Sequence, residues 1–141
     1  SDGMLMPLIK DKVHSLGLDD VVIFLGKTLK VSEYLQGMDL FLLPSLHEGL
    51  PVVLVEAQAA GLICAVSNTV AKEADLTETS VFLPIDTVAP WTTVIEKLGY
   101  KKRNREEDST NNIALIKEKG YDIEQNADQL RQIYVSACEE R

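Results

Sequence analysis

The sequence is poor in the residues that build disulfides and metal sites. Its 141 residues include two cysteines, Cys64 and Cys138, and two histidines, His14 and His47. The cysteines lie far apart, and the four residues form no paired spacing of the kind that holds zinc. We therefore expect no bound metal, and we expect both cysteines to be reduced thiols, as in cytoplasmic proteins.

Long apolar runs and positive charge are also scarce. No uncharged stretch approaches the length of about 18 residues that a membrane-spanning helix needs, and the amino terminus lacks the pattern of a signal peptide. The 14 basic residues face 22 acidic ones, which gives a net charge of −8. This balance argues against bulk nucleic-acid binding, which requires a basic surface. We expect a cytosolic protein, and a small anionic ligand is compatible with its charge.

The hydrophobic pattern alternates between strand-like and helix-like segments over a length that suits one domain. Such alternation predicts an α/β fold: a Rossmann-like, doubly wound parallel sheet with helices on both faces. Residues 101–108 contain no apolar side chain and predict an exposed loop. We predict strands at 21–25, 39–43, 63–67 and 80–83, and helices at 5–16, between Ser32 and Gly37, and at 51–60, 89–98, 111–120 and 122–138.

The stretch from Met38 to Leu62 organises this prediction. Residues 39–43 form an apolar run that opens on one acidic residue, and this suits a central strand covered on both faces. Pro51 and Gly61 have the positions that proline and glycine favour at the start and just past the end of a helix. The polar loop between strand and helix should lie at the carboxyl edge of the sheet, where open α/β folds bind ligands.

Two carboxylates flank this loop and helix start. Glu48 lies in the loop, and Glu56 lies about one and a half turns inside the helix, so they span roughly 10 Å. Carboxylates accept hydrogen bonds from sugar diols, and helix-start amides bind anions. Spacing alone leaves structural roles open, with Glu48 as a loop or cap residue and Glu56 buried against an amide or an arginine. A buried, unpartnered carboxylate costs several kcal/mol, which favours a functional partner for Glu56.

Four segments, residues 24–26, 39–45, 48–51 and 56–61, together resemble the donor-binding half of retaining glycosyltransferases of family four, which have the GT-B fold. In closer detail the sequence is similar to bacterial enzymes that build capsular polysaccharide or exopolysaccharide. The resemblance runs through most of residues 2–98 in the right order and spacing. It implies a sugar-transferring enzyme whose donor substrate is a nucleotide-diphosphosugar and which uses neither a cofactor nor a metal.

The resemblance also implies roles for individual residues. Glu48 would contact hydroxyls of the transferred sugar, and Glu56 would hold the ribose diol. The departing nucleotide would assist attack by the acceptor on the same face of the sugar. Backbone groups would complete the donor site, with Gly49, Leu50 and Pro51 at the phosphates or sugar and with Gly26 and Lys27 at the nucleobase.

On this reading, residues 1–98 are a partial donor-binding domain, 99–110 a charged exposed loop and 111–141 carboxyl-terminal helices. An acceptor-binding domain and the basic pair that grips the diphosphate would precede Ser1, so we expect the chain alone to be inactive. The acceptor would be a glycan or a lipid-linked sugar in polysaccharide biosynthesis. Peripheral attachment to the inner membrane face and the oligomeric state stay open.

Two other functions also stay open. The chain could belong to a non-catalytic nucleotide-sugar-binding or assembly module that keeps the fold and has lost the chemistry. It could also belong to a sugar epimerase of the GT-B fold, which acts on the nucleotide sugar itself and needs no acceptor. Product analysis separates an epimerase from a transferase.

Overall fold

A three-stranded parallel sheet lies at the centre of the second part of the chain in the computed structural model, which describes residues 3–98 and 102–139. The chain divides into two compact units, Ser1–Val31 and Ser32–Arg141. Within the described residues, no helix is both long and apolar enough to cross a membrane.

The first unit contains helix α1, Met6–Ser15, followed by an irregular extended segment. Gly17 ends the helix with a φ of 65°, as predicted from its position. The strand predicted at 21–25 is wrong, because these residues pair with no strand and Ile23 is 80% exposed. A β-branched, apolar run becomes a strand only when a neighbour accepts its backbone hydrogen bonds, and none does so among the described residues.

The other predicted strands and the helices that alternate with them are confirmed with small shifts at their ends. The strands run parallel in the order β1-β2-β3, with Leu40 opposite Ile63 and Cys64 opposite Ser80. This confirms the α/β, Rossmann-like class, with a sheet flanked by helices. The elements are α2 (Val31–Gln36), β1 (Leu40–Leu43), α3 (Val52–Ala59), β2 (Ile63–Ser67), a 3-10 turn (Lys72–Ala74), β3 (Ser80–Leu83), α4 (Ala89–Leu98), α5 (Arg105–Glu118) and α6 (Ile123–Glu139).

The middle position in this sheet belongs to β2. Residues 64–67 of β2 are buried, whereas β1 is only partly covered and its Leu42 is 40% exposed. The prediction of a central, fully covered strand at 39–43 is therefore wrong for the described part of the chain. An apolar run indicates that a strand lies in a parallel sheet, but it does not indicate how many neighbours the strand has.

Helix α3 packs between the sheet and helix α5. Its Leu54 and Ala57 are fully buried, and α3 contacts β2 on one side and α5 on the other. The approach of α5 is close at Gly61, whose φ is 72°. A Cβ atom there would lie 2.8 Å from the amide nitrogen of Ser109 and 2.9 Å from the carbonyl oxygen of Arg105. Glycine at 61 therefore both ends α3 and admits the backbone of α5.

The predicted exposed loop at 99–110 is wrong over residues 105–110, which form the first turns of α5; residues 99–101 lie outside the described part. Asn104 caps the helix by accepting from the amide of Glu107, and acidic residues occupy the first turn. Both features favour a helix start. Arg105 is partly buried, and its guanidinium donates to the carbonyls of Leu35, Met38 and Ala60.

Gln58 joins α3 to the segment that leads into β3. Its side chain is fully buried. The amide nitrogen Nε2 donates to the carbonyl of Ala74 at 2.9 Å and to that of Leu54 at 3.2 Å. Oε1 accepts from the amide of Leu76 at 2.7 Å, and from both the amide and the hydroxyl of Thr77 at 3.1 and 3.0 Å. One side chain thus satisfies several buried backbone groups of the 74–77 segment.

The contact at Gly61 predicts a position-specific effect of adding a methyl group. Gly120 is the matched control, because its φ is 85° and no heavy atom lies within 4 Å of a Cβ placed there. Gly120→Ala should cost about 1–2 kcal/mol for the left-handed backbone alone. Gly61→Ala should cost about 1–3 kcal/mol more, because α5 must also move. Denaturant unfolding measures both variants, and equal losses would contradict the packing described here.

A second substitution tests the role of Gln58. Gln58→Leu keeps the volume but leaves the amides of Leu76 and Thr77 without their acceptor in a buried site. We expect a loss of about 2–4 kcal/mol in the free energy of unfolding. Gln132→Leu, on the exposed part of α6, should change it by less than about 0.5 kcal/mol. A Gln58→Leu protein as stable as the control would show that the network contributes little.

Candidate functional site

The loop that follows β1 extends along the carboxyl edge of the sheet. Glu48 in this loop is exposed, and its backbone forms an isolated parallel bridge with Val70, which follows β2. Its Oε1 accepts a hydrogen bond of 3.2 Å from the hydroxyl of Ser45. The structure therefore places Glu48 where the sequence predicts a ligand site, at the end of two neighbouring parallel strands.

A hydroxyl cluster, Ser45, Ser67 and Thr69, supports the base of this loop. The carbonyl oxygen of Ser45 accepts from the hydroxyl of Ser67 and, at 2.7 Å, from that of Thr69. Thr69 also lies 3.0 Å from Ser67. This cluster is not among the residues predicted from the sequence. The signal that could have indicated it is the polar run from Ser67 to Thr69, which directly follows a buried strand and so lies at the ligand-binding edge.

The start of α3, at Val52, lies three residues beyond Gly49. Gly49 and Leu50 are exposed, whereas Pro51 is buried and precedes the first helical residue with φ −72° and ψ 109°. No side chain caps this start, and its first turn contains no acidic residue. The positive end of the helix is therefore uncapped within the described residues, which suits an anionic group.

Glu56 lies on the outer face of α3 and is exposed. Glu56 is therefore not a buried carboxylate that needs a partner. It lines an open groove of about 610 Å³ between α2, α3 and α5, which Glu48 does not line. The other residues along this groove are Ser32, Leu35, Gln36, Ala59, Ala60, Arg105, Glu106, Ser109 and Ile113.

Gly26 and Lys27 belong to the first unit, whereas Glu48 and Glu56 belong to the second. Gly26 has a φ of 66°, and no heavy atom lies within 4 Å of a Cβ placed on it. Lys27 lies in an exposed bend. The backbone at Gly26 is thus open to a ligand, and the roles of both residues at a nucleobase stay predictions.

The two cysteines differ in environment. Both are free, with Cys64 buried in β2 and Cys138 exposed on α6. Burial, assisted by the negative charge of Asp75, raises the pKa of the Cys64 thiol to about 12. A thiol that stays protonated is neither a nucleophile nor a metal ligand at neutral pH. Among the residues that the structure describes, no three His, Cys, Asp or Glu side chains are grouped to hold a metal ion.

Comparison with known proteins places these features in a family. Residues 2–98 match the family model described as glycosyl transferases group 1. The chain is 35% identical over 138 residues to EpsF of Bacillus subtilis (strain 168), which is named as a glycosyltransferase. It is 40% identical over 68 residues to the UDP-Gal:alpha-D-GlcNAc-diphosphoundecaprenol alpha-1,3-galactosyltransferase of Escherichia coli. It is also 39% identical over 61 residues to the Vi polysaccharide biosynthesis protein VipC/TviE of Salmonella typhi.

These alignments differ in how much of each protein they include. The match to EpsF covers 94% of this chain but 34% of the relative. The matches to the Escherichia coli and Salmonella typhi proteins cover 48% and 43% of this chain, and 18% and 11% of those proteins. The chain therefore spans about a third of the length of EpsF.

The environments of the cysteines predict a large difference in their reactivity. At pH 8 a maleimide or iodoacetamide should modify Cys138 readily, whereas Cys64 should react only on the timescale of unfolding, since both burial and its raised pKa suppress the thiolate. Peptide mass spectrometry after timed labelling measures both sites, and Cys138→Ser should abolish the fast phase. Rapid labelling of Cys64 under native conditions would contradict its placement in β2.

Proposed function

The chain belongs to the group 1 glycosyl transferases, and on that premise we propose that it is the donor-binding part of a retaining glycosyltransferase. The enzyme would move a sugar from a nucleotide-diphosphosugar to a glycan or lipid-linked acceptor. One observation carries this proposal: an exposed carboxylate, Glu48, lies in the loop at the carboxyl edge of a parallel sheet, four residues before an uncapped helix start. Sugar hydroxyls suit the carboxylate, and a phosphate suits the helix start.

The sugar and the phosphates of the donor would be bound by four consecutive residues, Glu48, Gly49, Leu50 and Pro51. The carboxylate of Glu48 accepts hydrogen bonds from hydroxyls of the transferred sugar and so orients the anomeric carbon for attack by the acceptor. Amides at Gly49, Leu50 and the first turn of α3 stabilise the negative charge that accumulates on the departing diphosphate. This part of the chain would therefore contribute positioning and electrostatics, without a covalent step of its own.

Glu56 would serve the ribose of the same donor. Its exposed position on α3 makes the side chain accessible to a diol. Gly26 and Lys27 would border the nucleobase through their backbone. Because Glu48 and Glu56 repel a diphosphate, a helix start alone would hold the donor weakly, and cationic groups must complete the site. We therefore propose that the isolated 141-residue chain is inactive.

The names of the relatives support a role in polysaccharide biosynthesis. One is a Vi polysaccharide biosynthesis protein, and another is named for a diphosphoundecaprenol-linked acceptor. We propose a similar acceptor class for this enzyme and a cytoplasmic location at or near the inner face of the membrane, where such acceptors would be accessible.

Separate substitutions of the two carboxylates test the proposal in the full-length protein. Glu48→Gln should lower kcat/KM for the nucleotide sugar about 10–100-fold, because a charged acceptor of sugar hydroxyls is worth about 1.5–3 kcal/mol. It should not weaken the binding of the free nucleoside diphosphate, since that ligand lacks the transferred sugar. Glu56→Gln should lower both kcat/KM for the nucleotide sugar and the affinity for the free nucleoside diphosphate. Calorimetry measures binding, and mass spectrometry of the glycosylated acceptor measures transfer.

Glu96→Gln is the matched control, since Glu96 is an exposed glutamate on α4. It should leave both binding and transfer unchanged. Unaltered transfer in Glu48→Gln and Glu56→Gln would overturn the proposal. If the protein converted the nucleotide sugar into its epimer in the absence of an acceptor, it would be an epimerase and not a transferase.

A further inference from the structure

We infer that Ser45 is a positioning residue for Glu48 and that Ser67 and Thr69 hold Ser45 in place for this purpose. The inference rests on the proposed function, in which Glu48 contacts the sugar of the donor. It adds three hydroxyl residues that do not themselves touch the donor but determine where the carboxylate points.

The strand register explains why the loop needs this support. Leu43 pairs with Val66 at the end of the sheet, and Glu48 pairs next with Val70. From Leu43 to Glu48 the chain advances five residues, whereas from Val66 to Val70 it advances four. One residue on the β1 side is therefore extra, and the regular ladder is interrupted between the two pairs, as in a bulge.

Side-chain hydroxyls replace the ladder across this interruption. Pro44 has no N–H to donate. The carbonyl of Ser45, the residue after Pro44, accepts from the hydroxyls of Ser67 and Thr69 instead of from a backbone amide. Ser67 is the last residue of β2 and is fully buried, so it provides a fixed reference within the sheet. The backbone of Ser45 is thereby tied to the most buried strand, although the loop around it is exposed.

Ser45 also contacts Glu48 through its side chain. The hydroxyl of Ser45 donates to Oε1 of Glu48 at 3.2 Å, while the backbone bridge to Val70 fixes the other end of that residue. Within the described part of the chain, Oε2 of Glu48 accepts no hydrogen bond. The hydrogen bond reduces the rotamer freedom of a long, exposed side chain, and one oxygen is left for a substrate hydroxyl. Because this bond is exposed and local, its loss should affect orientation far more than stability.

A double-mutant cycle in the full-length protein tests the inference, with the nucleotide sugar as donor. Ser45→Ala should lower kcat/KM about tenfold and leave the affinity for the free nucleoside diphosphate and the melting temperature unchanged. In a Glu48→Ala background, Ser45→Ala should have no further effect, because no carboxylate is left to orient. An equal loss in both backgrounds would show that Ser45 acts independently of Glu48, and this would overturn the inference.

Thr69 offers a second variant that does not alter the loop itself. Thr69→Val keeps the shape but removes the hydroxyl, and it should lower kcat/KM about threefold; Thr69→Ser restores the hydroxyl and should restore activity. Thr92→Val removes an exposed hydroxyl on α4 that donates to the carbonyl of Ala89, and it should have no effect. Equal activity of Thr69→Val and Thr69→Ser would show that the cluster does not contribute.

The result with Glu48→Ala alone separates the two proposals. If that variant transfers sugar normally, the proposed role of Glu48 fails. If that variant is impaired while Ser45→Ala is fully active, only the positioning inference fails. Side-chain NMR of Glu48 gives a readout that does not depend on activity: one rotamer should dominate in the wild type, and averaging should increase in Ser45→Ala. Unchanged averaging would also overturn the inference.

Discussion

The buried amide of Gln58 is the constraint on which the second unit depends. It bonds within α3 to Leu54 and across to Ala74, Leu76 and Thr77, which lie between β2 and β3. A helix packed on a sheet by apolar contacts alone can rotate or slide at modest cost, since such contacts are non-directional. Hydrogen bonds to several buried backbone groups remove this freedom, because any shift leaves some of them unsatisfied.

Arg105 imposes a similar constraint on the segments that precede β1 and β2. Its guanidinium bonds to carbonyls of Leu35, near the end of α2, of Ala60, which follows α3, and of Met38, which precedes β1. A cation at the carboxyl ends of two helices is electrostatically favourable. The close approach of α5 at Gly61 makes this contact possible. The elements on both sides of the loop that carries Glu48 are therefore fixed, while the loop itself stays exposed.

The features that the sequence predicted correctly are those with a local cause. Pro51 and Gly61 mark the ends of α3 through their own backbone preferences, and the apolar run at 63–67 forms β2. The failures involve partners that are distant in sequence. The apolar run at 21–25 has no strand beside it among the described residues. Arg105 lies in the charged run that predicts a loop, and its carbonyl partners lie about 45 or more residues away. The candidate site follows the same rule: Glu48 and its loop were predicted, but the hydroxyl cluster that joins two loops was not.

The two candidate carboxylates are positioned by different parts of the chain that runs from the end of β2 to β3. Glu48 is tied through Ser45 to Ser67 at the end of β2. Glu56 lies two residues from Gln58, and a helix turns about 200° over that interval, so the two side chains point to opposite faces of α3. The bonds of Gln58 to the segment after β2 thus set the direction of Glu56. Because the first tether ends at the last residue of β2 and the second ends between β2 and β3, the spacing of the carboxylates depends on these segments, and not on the exposed loop alone.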